Sequence, residues 1–225
     1  MPSQSGHSTG NAAEWLNTVA AYTTLSSVVY YAVAVIILHL LRTDFDPSYR
    51  YLSEYAVGPY GALMTSTFFV LSIGSIALSV GLWRSVASKL RFVPGLLSWL
   101  TWACAVFFAG VFTGDLQGTP HTRNGEVHEQ MGMIAFPAAA LGVVLISAAL
   151  CWEEKWNPVW RTAIVLSIVV VVSLLVFDRA GQANLGGLDQ RIFLAATLIW
   201  MSILGRNLVR LPEDAKRPAT NNQKT

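Results

Sequence analysis

The stretch FTGDLQGTPHTRNGEVHEQMG, Phe112 to Gly132, gathers Asp115, His121, Glu126, His128 and Glu129. Imidazole and carboxylate side chains move protons near neutral pH. They also ligate metals through nitrogen and oxygen. His128 or Glu54 is a candidate general base, and Ser53 a candidate nucleophile or hydroxyl donor. Arg191 is the candidate for holding an anionic head. Asp115, His121 and His128 carry the donor types of a zinc site. The two histidines stand seven residues apart with a helix start between them, which is not the i, i+4 pair of a zinc helix. Zinc therefore stays one alternative. A haem between His39 and His128 is not expected, because no histidine lies deeper in the apolar runs.

Each of these residues also has a purely structural reading. His128 can be a hydrogen-bonded histidine of the bundle and His121 an exposed loop residue. His39, in IILHLLR, either reaches the headgroups or faces a cavity. Arg191, in GGLDQRIF, opens an apolar run and calls for a carboxylate, with Glu54, Asp115 and Asp189 as candidates.

A second dense stretch, DPSYRYLSEYAVGPYG, runs from Asp46 to Gly61. Asp46-Pro47 reads as the cap and first position of a short helix, Pro47 to Ala56, that Gly58-Pro59 ends. On such a helix Arg50 and Glu54 share one face, and Tyr51 and Tyr55 the next. It would lie flat at the interface with its rings among headgroups. Asp46, Tyr55, Tyr60 and Gln190 are the candidate ligand contacts.

The elements that position these residues are membrane-length. Of 225 residues 53% are hydrophobic and 12% charged, about half the charge of an ordinary soluble domain. Mean hydropathy is +0.48. A spanning helix needs about 20 apolar residues, and six segments supply them: Thr18–Leu41, Tyr60–Trp83, Phe92–Phe112, Val127–Cys151, Trp160–Phe177 and Gln190–Val209. The fold expected is all-α, a polytopic six-helix bundle over residues 18–210 with a short interfacial helix after the first span. Residues 1–17 form a polar N-terminal segment, and 211–225 read as a disordered cytoplasmic tail. The first apolar run is too long for a cleaved leader. Asn124 is expected to cap the fourth span, with Glu126 in its positive first turn. Trp83, Trp152, Trp156, Trp160, Tyr51, Tyr55 and Tyr60 are expected at headgroup level. Small residues four apart, Ser75/Ser79 and Ala138/Gly142, suit close helix approach. Cys104 and Cys151 are too far apart along the bundle to be expected as a disulfide.

Charge sets the orientation. With cytoplasmic termini, ten Lys and Arg fall inside and five outside, as the positive-inside rule prefers. The loops Arg42–Pro59, Thr113–Glu126 and Asp178–Asp189 then lie outside, at the cell (inner) membrane. A net charge of +2 is too small to imply nucleic acid. Few ionisable residues fall mid-membrane, which argues against an ion pump.

The segments LHLLRTDFDPSYRYLSEYAVGPYGALM, FTGDLQGTPHTRNGEVHEQMGMIAF and GGLDQRIFLAATLIW together resemble the prokaryotic membrane-protein family catalogued as domain of unknown function 998, over about Val28 to Val209. The resemblance implies a six-span bundle and brings no reaction with it. It implies recurring polar positions at Asp46, Ser53, Glu54, Asp115, His128, Gln190 and Arg191.

Two functions are open from the sequence. One is a non-enzymatic protein that binds or organises membrane lipid, a protein partner or a second copy of itself at an outward-facing polar cluster. The other is a membrane-embedded enzyme, with a metal-assisted hydrolase among its forms, acting on a lipid-like amphiphile.

Overall fold

The computed structural model describes the backbone of residues 6–216 and the side chains of residues 15–211. Within it the chain is all-helical, with no strand among the described residues. The six long helices are α1 (Gly6–Leu41), α2 (Gly61–Ser85), α3 (Lys89–Val111), α4 (Arg123–Leu150), α5 (Trp160–Gln182) and α6 (Gly186–Lys216). Their spanning portions run from 23 to 28 residues. At about 1.5 Å per residue each exceeds the ~30 Å of a hydrocarbon core. The chain is a multi-pass membrane protein. The expected tail from 211 is helical as far as Lys216, and the rest of it lies outside the described residues.

Each helix packs on its neighbours in sequence, and α6 closes back on α1, so the six form a ring. α6 is the most enclosed and also touches α2 and α4 across the middle. Alternating direction puts the starts of α1 and the end of α6 at one face. The connections 42–60, 112–122 and 183–185 meet at the other.

Close approach rests on small residues. A Cβ on Gly74 would fall 1.8 Å from Ser27 Oγ, and one on Gly142 3.0 Å from the backbone nitrogen of Trp99. Buried polar atoms are answered inside the ring. Trp99 Nε1 donates to the Ser75 carbonyl at 3.2 Å, Trp102 Nε1 to Ser75 Oγ at 3.2 Å, and Trp200 Nε1 to Ser147 Oγ at 2.8 Å. The Trp99 ring lies 5.9 Å from Trp102 and 4.9 Å from Trp200. These three indoles fill the ring at mid-height. Below them Glu153 receives the Ala87 and Ser88 amides at 2.9 and 3.1 Å and ties the far-end loops together.

Three expectations change. The segment after α1 is not one helix. Asp46 organises a single turn through its carboxylate and carbonyl, Tyr51 is extended, and a 3-10 helix covers Leu52–Ala56. Tyr51 and Tyr55 therefore part company. Tyr51 stacks on Phe177, while Tyr55 is fully buried between His39 and Phe45. The third change is at the belt: Trp83, Trp152 and Tyr60 are exposed there, but Trp156 belongs to the core at 0% exposure. Cys104 and Cys151 are both free and exposed.

Candidate functional site

Glu54 holds the loop end of the ring together. It is 2% exposed. Its Oε1 accepts from Arg50 at 2.8 Å and from the Gln117 amide at 2.7 Å, while Oε2 accepts from the Tyr51 amide at 2.7 Å. The Arg50 guanidinium also reaches the Gln117 carbonyl at 3.2 Å. One carboxylate thus joins the first and second loops, although the helix that sequence reasoning used to pair Arg50 with Glu54 is absent. The start of α6 completes the clasp. Leu188 N donates to the Ser48 carbonyl at 2.9 Å, and Leu52 N donates to Gln190 Oε1 at 2.6 Å.

The α3–α4 connection closes on itself. Asp115 receives the Thr122 amide at 2.7 Å and the Thr122 hydroxyl at 2.9 Å. Those two donors, the amide first, hold its carboxyl below the usual aspartate range. Thr122, not Asn124, caps α4, taking the Gly125 amide at 3.1 Å. Only glycine fits at 125, because a Cβ there would meet Asp115 Oδ2 at 1.9 Å. One turn into α4, His128 Nδ1 donates to the carbonyls of Ala109 and Phe112 at 2.9 and 2.8 Å. Those carbonyls can only accept, so Nδ1 carries a proton, and Nε2 makes no hydrogen bond among the described residues.

Arg191 was expected beside a carboxylate, and among the described residues it meets none. Its Nε donates to His39 Nε2 at 3.1 Å, and one terminal nitrogen to the Arg50 and Gly187 carbonyls at 2.8 Å each. The other terminal nitrogen reaches the Tyr55 hydroxyl at 3.4 Å. His39 Nδ1 donates in turn to the Val35 carbonyl at 2.6 Å and leaves Nε2 to accept. Backbone carbonyls and an imidazole here take the place of a counter-ion, and the cation works as a rivet between α1, α6 and the 46–56 segment. Asp189 pairs instead with Ser173, whose hydroxyl donates to Oδ1 at 2.8 Å.

Beneath the loops lies a cavity of about 760 Å³. Its rim includes Ser53, Glu54, Asp115, His121, His128 and Gln190, so six of the residues singled out by type and spacing share one wall. Asp46, Tyr55, Tyr60 and Arg191 are not part of it. Asp46 serves its own turn, Tyr60 is exposed at a left-handed φ of 63°, and Tyr55 and Arg191 face α1. Asp115, His121 and His128 do not form a metal set; no group of three or more His, Cys, Asp or Glu placed to hold an ion occurs among the described residues. The interior is apolar, lined by Met64, Leu71, Val106, Phe136 and Leu194, and Trp102 belongs to its floor. Tyr31, Phe136, Phe177 and Asp178 escaped sequence reasoning. Their signal, aromatic or acidic residues in apolar runs, is shared with ordinary belt and core positions.

A family profile described as "Protein of unknown function (DUF998)" matches residues 24–207. No curated protein and no solved structure matches the chain.

Proposed function

We propose, for a chain that belongs to the DUF998 family of unknown function, that this membrane protein binds a lipid-like amphiphile, head at the rim and chain in the bundle. The observation that carries the reading is the cavity. Its about 760 Å³ falls within the ~300–1,000 Å³ typical of small-molecule sites. Polar groups line one end and hydrocarbon the other, in the order a bilayer presents heads and chains. Met133 and Pro137, both exposed on α4, belong to its wall, and that supports entry sideways from the lipid.

The test is mass spectrometry of the protein released from a mild neutral detergent. A bound amphiphile is expected. Ala135, 4% exposed in the wall, should on substitution by Leu lower its retention by about tenfold through steric exclusion. Retention unchanged in folded Ala135→Leu protein would count against the cavity.

The rim belongs, on this reading, to the outer side. Support comes from the described Lys and Arg: Arg84, Lys89, Arg91, Lys155, Arg161, Arg206 and Arg210 sit at the far end, with Arg42, Arg50, Arg123, Arg179 and Arg191 at the cavity end. Thr119→Cys, with Cys104 and Cys151 replaced by Ser, should react with an impermeant maleimide on intact cells. Reaction only after lysis would reverse the assignment.

One observation favours a second reading, an enzyme acting on the same ligand. His128 has its Nδ1 proton fixed by two carbonyls, the arrangement that readies Nε2 as a base. Ser53, in the same wall, makes no side-chain hydrogen bond among the described residues. His128→Gln keeps an N–H donor and removes the base. Turnover of a bound amphiphile should then fall about 100-fold or more, and undiminished turnover would discard the role.

A further inference from the structure

The cavity's wall has one sign of charge. Glu54, Asp115, Glu129 and Asp178 contribute to it, and no lysine or arginine does. Two of these carboxylates are spent, Glu54 on Arg50 and two amides, Asp115 on Thr122. Glu129 and Asp178 have no hydrogen-bond or ion-pair partner among the described residues. Of the arginines at this end, Arg42 is engaged with Asp44, Arg50 with Glu54 at the rim, and Arg191 with His39 and carbonyls, while Arg123 and Arg179 stand outside the wall. Beside Asp178 the Tyr51, Phe177 and Phe136 rings run in contact, with centroids 5.7 Å apart at each step. Aromatic faces attract cations.

A second, independent feature points to an occupant. Tyr31 is 4% exposed and forms part of the wall. Its hydroxyl has no hydrogen-bond partner among the described residues. Unlike Trp156 Nε1 and Asp189 Oδ2, it is not sealed from every side. The cavity is the space the residue borders. Tyr31 lies ten residues before the end of α1, about 15 Å along the helix axis from that end. A buried hydroxyl left without a partner is unfavourable, and an amphiphile that carries an ester or amide oxygen along its chain would answer it.

We propose that the cavity selects amphiphiles with a positively charged head, a primary or quaternary ammonium, over those with phosphate or carboxylate heads. The ammonium sits between Glu129, Asp178 and the aromatic column, and the chain descends past Tyr31 to the tryptophan floor. An anionic head would enter a site with two unneutralised carboxylates and no lysine or arginine in its wall.

This rests on the amphiphile reading above, and the experiment separates the two. Protein in neutral-lipid nanodiscs is titrated at low salt with dodecyltrimethylammonium, dodecyl phosphate and dodecanol, each below its micellar concentration. The ammonium is expected to bind at least about tenfold tighter than the phosphate. In the Glu129→Gln, Asp178→Asn double variant that preference should shrink to about twofold, with dodecanol affinity unchanged. Dodecyl phosphate binding as tightly as the ammonium, or a preference that survives the double variant, would overturn the charge selection and leave the cavity reading standing. If none of the three probes binds, both fall together.

Discussion

Replacing Glu54 by alanine should lower stability by about 3 kcal/mol, because one substitution strands three donors. The Arg50 guanidinium loses its carboxylate, and the Tyr51 and Gln117 amides lose their acceptor. Water cannot easily compensate, since the site is 2% exposed. In a chain of this size that loss corresponds to a fall in Tm of about 6–12 °C. Glu54→Gln refines the test. Its amide preserves shape and one acceptor oxygen but places an NH2 where a backbone N–H now points, so most of the loss should remain. Thermal unfolding in detergent measures both. If Glu54→Ala melts within a degree or two of the parent, the carboxylate does not hold the loops together.

Gly187→Ala is expected to be nearly as damaging, for a steric reason. A Cβ at 187 would stand 2.4 Å from the Arg50 carbonyl oxygen and 2.8 Å from that of Pro47. Both obstacles are backbone, so no rotamer change relieves them. The start of α6 must back away from the 47–50 turn, weakening the Leu188-to-Ser48 bond and the hold of Arg191 on the Arg50 carbonyl. A cost of about 2–3 kcal/mol follows from overpacking, with faster proteolysis between residues 46 and 56. Gly132 supplies the contrast. A Cβ there meets nothing closer than 4.0 Å, and its φ is ordinary. Gly132→Ala should be neutral or slightly stabilising, as removal of a mid-helix glycine usually is. Equal effects at 187 and 132 would refute the steric account.

The spans and the meeting of three loops at one end could be read from the amino acids because they depend on run length and alternation. A stretch such as TAIVLSIVVVVSLLVF has one stable place in a bilayer. Six such stretches fix which loops share a side. What the sequence did not disclose depends on partners distant along the chain. Tyr55 and Trp156 have the composition of belt residues, and only the packing of α1 with the 46–56 segment, or of the far-end loops, buries them. Arg191 suggested a carboxylate because isolated charges in apolar helices usually have one. The acceptors it found are two carbonyls, an imidazole nitrogen and a tyrosine hydroxyl, groups that every protein has and no motif marks. Glu54 shows the reverse case. Its pairing with Arg50 was anticipated from an α-helical spacing, yet the ion pair forms across a turn and an extended residue. The i, i+4 separation allowed contact by a different backbone path.

The layer formed by Trp99, Trp102 and Trp200 has a consequence for traffic. The shaft ends on it, and under it Met201, Leu204 and Leu208 are all at 0% exposure. In this conformation the protein is a blind well rather than a passage. On the proposed reading, a guest in this conformation would leave at the face by which it entered, without crossing to the other monolayer. If the proposed amphiphile binding holds, occupancy would track the make-up of a single leaflet.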